Sequence, residues 1–163
     1  MNKKRKVVFL TGTRADFGKL KPLMDKIESS DIFDCYIFVT GMHTIKKYGN
    51  TSQEVVKCKY KNIKIFNNQQ NSTKQDIILA NTISGFSDYV TMLNPDMIIV
   101  HGDRVEALGG AIVGSLNNIL VSHIEGGEIS GTIDELIRHA VSKLSHIHFV
   151  ANLDAKNIPA LLL

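Results

Sequence analysis

Short apolar runs separated by helix-forming segments constrain the fold of this chain more than any other feature. The runs at 97–100 and 119–121 are continuously apolar, which is typical of strands covered on both faces. Between them, 107–116 is small and apolar enough for a closely packed crossover helix. The predicted strands are 6–11, 35–40, 63–66, 97–100, 119–121 and 147–150, and the predicted helices are 20–27, 48–57, 77–93, 107–116 and 132–144. This alternation predicts an α/β fold with a doubly wound parallel sheet.

Composition and charge exclude several classes of protein. The 163 residues are 44% hydrophobic and 21% charged, values that exclude collagen-like, disulfide-scaffold and disordered chains. The net charge of +3 comes from the basic run at 3–6, so we expect no nucleic-acid partner. The apolar runs are too short for a secretory signal or a membrane span, which predicts a cytoplasmic protein with no membrane partner and with Cys35 and Cys58 reduced.

The ligand of such a sheet is expected outside the carboxyl ends of the strands. After the first strand, 12–19 forms a turn with two glycines and the cations Arg14 and Lys19. This turn could cradle a phosphate, or it could be a glycine turn in which Asp16 is the helix N-cap. His43 follows the second strand, and a lone loop histidine is more often structural than catalytic.

Two similar motifs follow the fourth and fifth strands. Residues i and i+2 of an extended segment share a face, so His101 should lie with Asp103 and His123 with Glu125. Four such side chains could bind a metal ion. Alternatively, the histidines pack beneath the loops, only the carboxylates reach a substrate, and Asp103 could also be only a helix N-cap.

The last polar segment opens the predicted helix at 132–144. Thr132 and Glu135 have the spacing of a capping box, which would explain Glu135 structurally. Asp134 could only favour the helix dipole or pair with Arg138, or both could line a cleft with Asp103 and Glu125. Three carboxylates on three loops would suit proton transfer.

Four segments of the sequence form a recognisable set of motifs. They are GTRADFGKL at 12–20, YGNT at 48–51, HGDRxEAL at 101–108 and HIEGGExSGTIDExIRHA at 123–140. Together they resemble the motifs of the hydrolysing UDP-N-acetylglucosamine 2-epimerases of sialic and legionaminic acid pathways. The resemblance runs from about residue 7 to residue 157, and the last segment is the most specific.

The resemblance implies the amino-terminal, Rossmann-like half of a glycosyltransferase-B fold. It implies elimination of UDP from UDP-N-acetylglucosamine to give a 2-acetamidoglucal, followed by hydration to N-acetylmannosamine, without metal or cofactor. UDP-diacetylbacillosamine is the alternative substrate. The implied acid/base residues are Asp103, Glu125 and Asp134, and the implied substrate-binding residues are Arg14, Asp16, Lys19, His43, Glu135 and Arg138.

The carboxyl end departs from the family pattern. We expect an epimerase domain over 1–157 and an atypical apolar tail over 158–163, with the second domain absent. The expected partners are a UDP-N-acetylated sugar, the missing carboxyl-terminal domain and a second copy in a homodimer, and the chain alone should be inactive. Two other functions stay open: a metal-dependent hydrolase using His101, Asp103, His123 and Glu125, and a non-catalytic nucleotide-sugar-binding module.

Overall fold

The computed structural model describes residues 3–70 and 74–162 and shows strands and helices in alternation. The strands are β1 (Arg5–Thr11), β2 (Phe33–Val39), β3 (Ile63–Ile65), β4 (Met97–His101), β5 (Leu120–Ile124) and β6 (Ile147–Phe149). The helices are α1 (Arg14–Glu28), α2 (Ser52–Lys57), α3 (Gln75–Leu93), α4 (Val105–Leu116), α5 (Ile133–Lys143) and α6 (Leu153–Leu162). Across these described ranges, no helix is both long and apolar enough to cross a bilayer.

All strand pairs are parallel, and the strand order is β3-β2-β1-β4-β5-β6. This confirms the predicted doubly wound sheet. The chain moves outward from β1 to β2 and β3, then returns to place β4 on the other side of β1. The strand order therefore reverses between β1 and β4, and a crevice opens at their carboxyl ends, where sheets of this kind bind ligands.

Two hydrophobic layers cover the two faces of the sheet. Successive side chains of β1 alternate, so Val8 and Leu10 join the layer under α3 and α4, whereas Val7 and Phe9 join the layer under α1. Continuous burial on both faces explains why β1 and β4 are apolar at every central position.

Helix α4 packs closely on β4 and β5, as the small residues of 107–116 predict. A methyl group on Gly114 would overlap the side chain of Val121 and lie 3.2 Å from Cδ1 of Ile98. A methyl group on Gly110 would lie 2.9 Å from Cγ1 of Val100. These glycines therefore set how near the helix approaches the sheet.

Some predicted elements differ in extent. The helix expected over 48–57 is shorter, because Gly49 (φ +85°) and Asn50 (φ +47°) are left-handed and interrupt it before α2 begins at Ser52. Helix α1 begins at Arg14, well before 20. Sequence reasoning missed α6, whose backbone runs without a break across the predicted boundary at 157/158.

We expect opposite effects from the same substitution in two helices. Gly114→Ala should lower the free energy of unfolding by about 1–3 kcal/mol, because the added methyl group overpacks the contact between α4 and β5. Gly18→Ala in α1 should be neutral or stabilising by up to about 1 kcal/mol, because nothing lies within 4 Å of the added group. Urea unfolding of both variants measures the difference, and equal effects would contradict the close packing of α4.

Candidate active site

A cavity of about 470 Å³ occupies the crevice at the carboxyl ends of β1, β4 and β5. We call it the cleft. Most of its lining comes from the first turn of α1 and from the loops that follow β4 and β5. The lining residues are Thr13, Ala15, Asp16, Lys19, Met42, His101, Gly102, Asp103, Arg104, Glu125, Glu128 and Arg138.

Glu125 directly follows β5 and is held by two basic side chains. Its Oε2 accepts a hydrogen bond from Nζ of Lys19 at 2.5 Å and lies 3.1 Å from Nε2 of His101. Partial burial acts to raise the pKa of Glu125, but Lys19 and His101 outweigh it and hold that pKa below its ordinary value. The backbone of Glu125 has φ +59°, a conformation costly for a residue with a Cβ. Glu125 is therefore an ionised carboxylate on a strained backbone.

Asp103 and Arg138 form the second charged pair of the cleft. Nη2 of Arg138 donates to Oδ2 of Asp103, while its Nη1 donates to the backbone oxygen of Glu128 at 2.7 Å. Arg138 is only 8% exposed, so this contact fixes α5 and the loop after β5 against the loop after β4. The N-cap of α4 is Arg104, so the interpretation of Asp103 as an N-cap is wrong.

His123 supports the cleft from below. Its Nε2 lies 2.7 Å from the backbone oxygen of Gly102, and its Nδ1 lies 3.0 Å from Oγ of Ser142. Burial lowers the pKa of His123 to about 4, so the ring is neutral at pH 7. This matches the alternative in which a histidine packs beneath the loops.

The expectation that each histidine lies with the carboxylate two residues later holds for one pair only. His101 and Asp103 both line the cleft, although His101 contacts Glu125, which directly follows the neighbouring strand β5. His123 is buried beneath the cleft, whereas Glu125 lines it. Within 3–70 and 74–162, no group of three or more His, Cys, Asp and Glu side chains is placed to hold a metal ion. The four-residue metal site therefore does not form in this structure.

Asp16 closes the turn between β1 and α1. Its carboxylate accepts hydrogen bonds from the backbone N–H groups of Gly12 and Thr13, each at 3.0 Å. Thr13 is the N-cap of α1 and Asp16 completes its capping box, so the prediction of Asp16 as the N-cap is wrong. A carboxylate of the protein already occupies the amides that a phosphate would need, which argues against a phosphate-binding turn here.

His43 and Arg14 do not reach the cleft. His43 is fully buried, with Nε2 at 3.1 Å from Oγ1 of Thr11 and Nδ1 at 2.7 Å from Oγ1 of Thr51. Burial lowers the pKa of His43, although the charge of Asp16 opposes the shift. The expectation that His43 lines the pocket is wrong, because the ring lies under it. Nε of Arg14 donates to Oε2 of exposed Glu54 at 3.1 Å, outside the cleft lining.

The first turn of α5 differs from its prediction. The side chain of Thr132 makes no capping hydrogen bond, and Oε2 of Glu135 accepts from the backbone of Ser130 at 2.7 Å and of Gly131 at 2.6 Å. The predicted capping box is therefore wrong, and Glu135 holds the preceding loop instead of lining the cleft. Asp134 is exposed, lies outside the cleft lining and does not pair with Arg138, which contacts Asp103 and Glu128.

Residues 25–158 match the family described as UDP-N-acetylglucosamine 2-epimerase. The chain belongs to this family. It is 51% identical over 148 residues to the UDP-N-acetylglucosamine 2-epimerase of Neisseria meningitidis serogroup B, covering 91% of this chain and 39% of that protein. It is 41% identical over 152 residues to the hydrolysing UDP-N,N'-diacetylbacillosamine 2-epimerase of Legionella pneumophila, covering 90% of this chain and 40% of that protein.

Solved structures agree with this family membership. The UDP-N-acetylglucosamine 2-epimerase of Methanocaldococcus jannaschii, solved with UDP-N-acetylglucosamine and UDP, superposes with a TM-score of 0.82 at 25% identity over 96% of this chain and 43% of that one. A UDP-N-acetylglucosamine 2-epimerase structure from Neisseria meningitidis with UDP-N-acetylglucosamine bound, 24% identical to this chain, superposes with a TM-score of 0.85 and covers 96% of this chain and 42% of that one. The family resemblance and the fold, the amino-terminal half of a glycosyltransferase-B arrangement, are thus confirmed. The epimerase-family chain spans about 40% of the length of the curated relatives it matches.

Sequence reasoning gave no role to three charged residues of this epimerase-family domain. Arg104 and Glu128 line the cleft, and Glu106 is buried beside it at 1% exposure. Arg104 and Glu106 belong to the HGDRxE motif at 101–106, and Glu128 belongs to the longest motif. The signal was therefore present in the family pattern, whereas spacing alone does not distinguish these residues from surface charges.

Buried His123 should make the stability of the domain depend on pH. Because its pKa is near 4 in the folded state and near 6.5 when unfolded, the unfolded chain binds more protons between these values. The contribution of His123 to stability is therefore present above pH 6.5, and it should fall by about 2 kcal/mol between pH 7 and pH 5.

Urea unfolding of the wild type and of His123→Gln at pH 7 and pH 5 measures this effect, and the variant should lose less stability on acidification. Buried His43 and half-buried His148 also have lowered pKa values, and both remain in the variant, so they contribute to the stability loss of the wild type and of the variant alike. Parallel curves would contradict the assignment to His123. NMR titration of the His123 ring protons gives the pKa directly if the variant does not fold.

Proposed function

We propose that this chain is the amino-terminal domain of a hydrolysing UDP-N-acetylglucosamine 2-epimerase and supplies the acid/base side of its active site. One observation carries the proposal: Asp103 and Glu125 lie in one cleft at the strand-order reversal, each paired with a cation. Family membership and the 41% identical hydrolysing relative support the reaction class. Products of this class would supply sialic or legionaminic acid synthesis.

The proposed reaction has two steps. In the first, a carboxylate takes the proton from C2 of the sugar, the C1–O bond to UDP breaks, and a C1–C2 double bond forms in a 2-acetamidoglucal. In the second, a base takes one proton from water as the oxygen of that water bonds to C1, and an acid delivers a proton to C2 from the face opposite to the one that lost its proton. UDP-N-acetylglucosamine and water thus give N-acetylmannosamine and UDP. Each step requires a placed proton acceptor or donor.

The geometry suits Asp103 and Glu125 to these transfers. The lowered pKa of Glu125 keeps this group ionised at neutral pH, the form that a base needs. Arg138 fixes the orientation of Asp103 across the cleft. We keep Asp134 as a third acid/base residue on the strength of the family motif; it lies one helical turn before Arg138, at the start of α5.

The charge of the cleft supports a second domain as the source of most contacts to the nucleotide. Four lining carboxylates, those of Asp16, Asp103, Glu125 and Glu128, accompany three cations, those of Lys19, Arg104 and Arg138. A cleft with more carboxylates than cations does not attract a diphosphate strongly. We therefore propose that a second domain provides most nucleotide contacts and that the chain alone is inactive. The family resemblance leads us to propose a homodimer for the full-length enzyme, and the short apolar runs of the sequence lead us to propose a cytoplasmic location.

A reconstitution experiment tests this function. The full-length form, or this chain mixed with a separately expressed second domain, should convert UDP-N-acetylglucosamine or UDP-diacetylbacillosamine to UDP and the 2-epimeric free sugar. The 163-residue chain alone should produce neither. Chromatography of UDP and NMR of the sugar identify the products, and incubation in D₂O should place one deuterium at C2. Failure with both substrates would reject the proposal.

The two cleft carboxylates should control turnover in the full-length form. Asp103→Asn and Glu125→Gln should each reduce kcat at least about 100-fold, because each removes a proton-transfer group while retaining the side-chain shape. The matched control is Asp88→Asn, which changes an exposed carboxylate on α3. Steady-state UDP release measures all three, and near wild-type kcat in either cleft variant would remove that residue from the acid/base assignment.

A further inference from the structure

Glu106 is a buried carboxylate that the proposed reaction does not use. It lies in the first turn of α4 and is 1% exposed. A methyl group on Gly41, whose φ is +61°, would lie 2.6 Å from Oε1 of Glu106, and one on Gly12 would lie 3.3 Å from its Cδ. The turns after β1 and β2 thus use glycine where this carboxylate fits beneath the cleft.

Such a carboxylate needs a charged partner, because burial of an unpaired charge is strongly unfavourable. Its Oε2 accepts a hydrogen bond from Nε of Arg104 at 3.1 Å, and its Oε1 has a longer contact, 3.4 Å, with Nε2 of Gln69. Glu106 therefore connects the loops after β3 and β4 with the glycine turns after β1 and β2. Arg104 is the cation that compensates its charge.

The hydrogen bond to Glu106 uses only the Nε side of the Arg104 guanidinium. Arg104 lines the cleft with about one third of its side chain exposed, and Nε is the nitrogen engaged by Glu106. The other two cleft cations are engaged differently, since Lys19 donates to Glu125 and both terminal nitrogens of Arg138 donate to oxygen atoms. The terminal nitrogens of Arg104 are thus the guanidinium donors best placed to meet a ligand.

We propose that Glu106 is a positioning residue that holds the Arg104 guanidinium so that its terminal nitrogens bind the diphosphate of the nucleotide sugar. This rests on the proposed function, because it takes the ligand to be a UDP-sugar. A planar guanidinium fixed through Nε can present both terminal nitrogens to two phosphate oxygens without losing side-chain freedom on binding. Glu106 acts through Arg104 and does not touch the ligand.

A double-mutant cycle in the full-length form tests the proposal, with UDP as the calorimetric probe. Glu106→Gln and Arg104→Gln should each weaken UDP binding about 10-fold or more, the range expected for one charge-assisted hydrogen bond. The double variant should bind no more weakly than Arg104→Gln, because Glu106 acts through that side chain. With UDP-N-acetylglucosamine, KM should rise more than kcat falls.

Glu54→Gln is the matched control. Glu54 also accepts from an arginine Nε, that of Arg14, at the same distance of 3.1 Å, but this pair is exposed and outside the cleft lining. UDP affinity of this variant should stay within about twofold of wild type, the effect expected for an exposed pair outside the cleft lining.

Two outcomes would overturn the inference: wild-type affinity in Glu106→Gln while Arg104→Gln is weakened, or losses that add in the double variant. A structural role alone would lower stability without this coupling in UDP affinity. If Glu106→Gln does not fold, Glu106→Asp replaces it, since the shorter side chain keeps the charge but withdraws from Nε; unchanged affinity there would also overturn the inference. Wild-type protein that neither binds UDP nor turns over a UDP-sugar would instead reject the proposed function.

Discussion

The position of β1 at the centre of the sheet is the constraint on which the rest of the structure depends. Because β2 and β4 flank it on opposite sides, the connections after β1 and β4 leave the sheet in different directions. The space between them holds Asp16 on one side and Asp103 on the other. Helix α4, drawn close to the sheet by its glycines, then brings Arg104 and Glu106 to the same place.

Three polar side chains at the base of the cleft have partners within the protein. Asp16, at the edge of the lining, binds the backbone of the β1–α1 turn, and below it His43 binds two threonines while His123 bridges Gly102 and Ser142. These satisfied contacts make a polar floor that does not require a bound ligand to be stable. The side chains available to contact a ligand are those that line the cavity above this floor, among them Asp103, Arg104 and Glu125.

The pattern of apolar residues along the sequence was enough to predict the sheet and the major helices, because strands buried on both faces are apolar at consecutive positions. It could not predict which side chains share a site. The contact of His101 with Glu125 joins the ends of two neighbouring strands, so it depends on their register, and the left-handed backbone at Glu125 changes the side-chain direction expected from alternation. The N-cap of α1 was predicted three residues too late for a related reason. Thr13 and Asp16 are both residue types that cap helices, and only the geometry of the turn shows that Thr13 is the N-cap.

The left-handed backbone of Glu125 has a consequence for how this domain can change by mutation. Glycine would relieve the cost of φ +59° at this position, so selection for thermal stability alone favours loss of the carboxylate. Glutamate at this position therefore places a negative charge at the end of β5 at a cost in backbone energy. A search for variants of this domain with higher thermal stability should therefore keep Glu125 and change residues in the helices remote from the cleft.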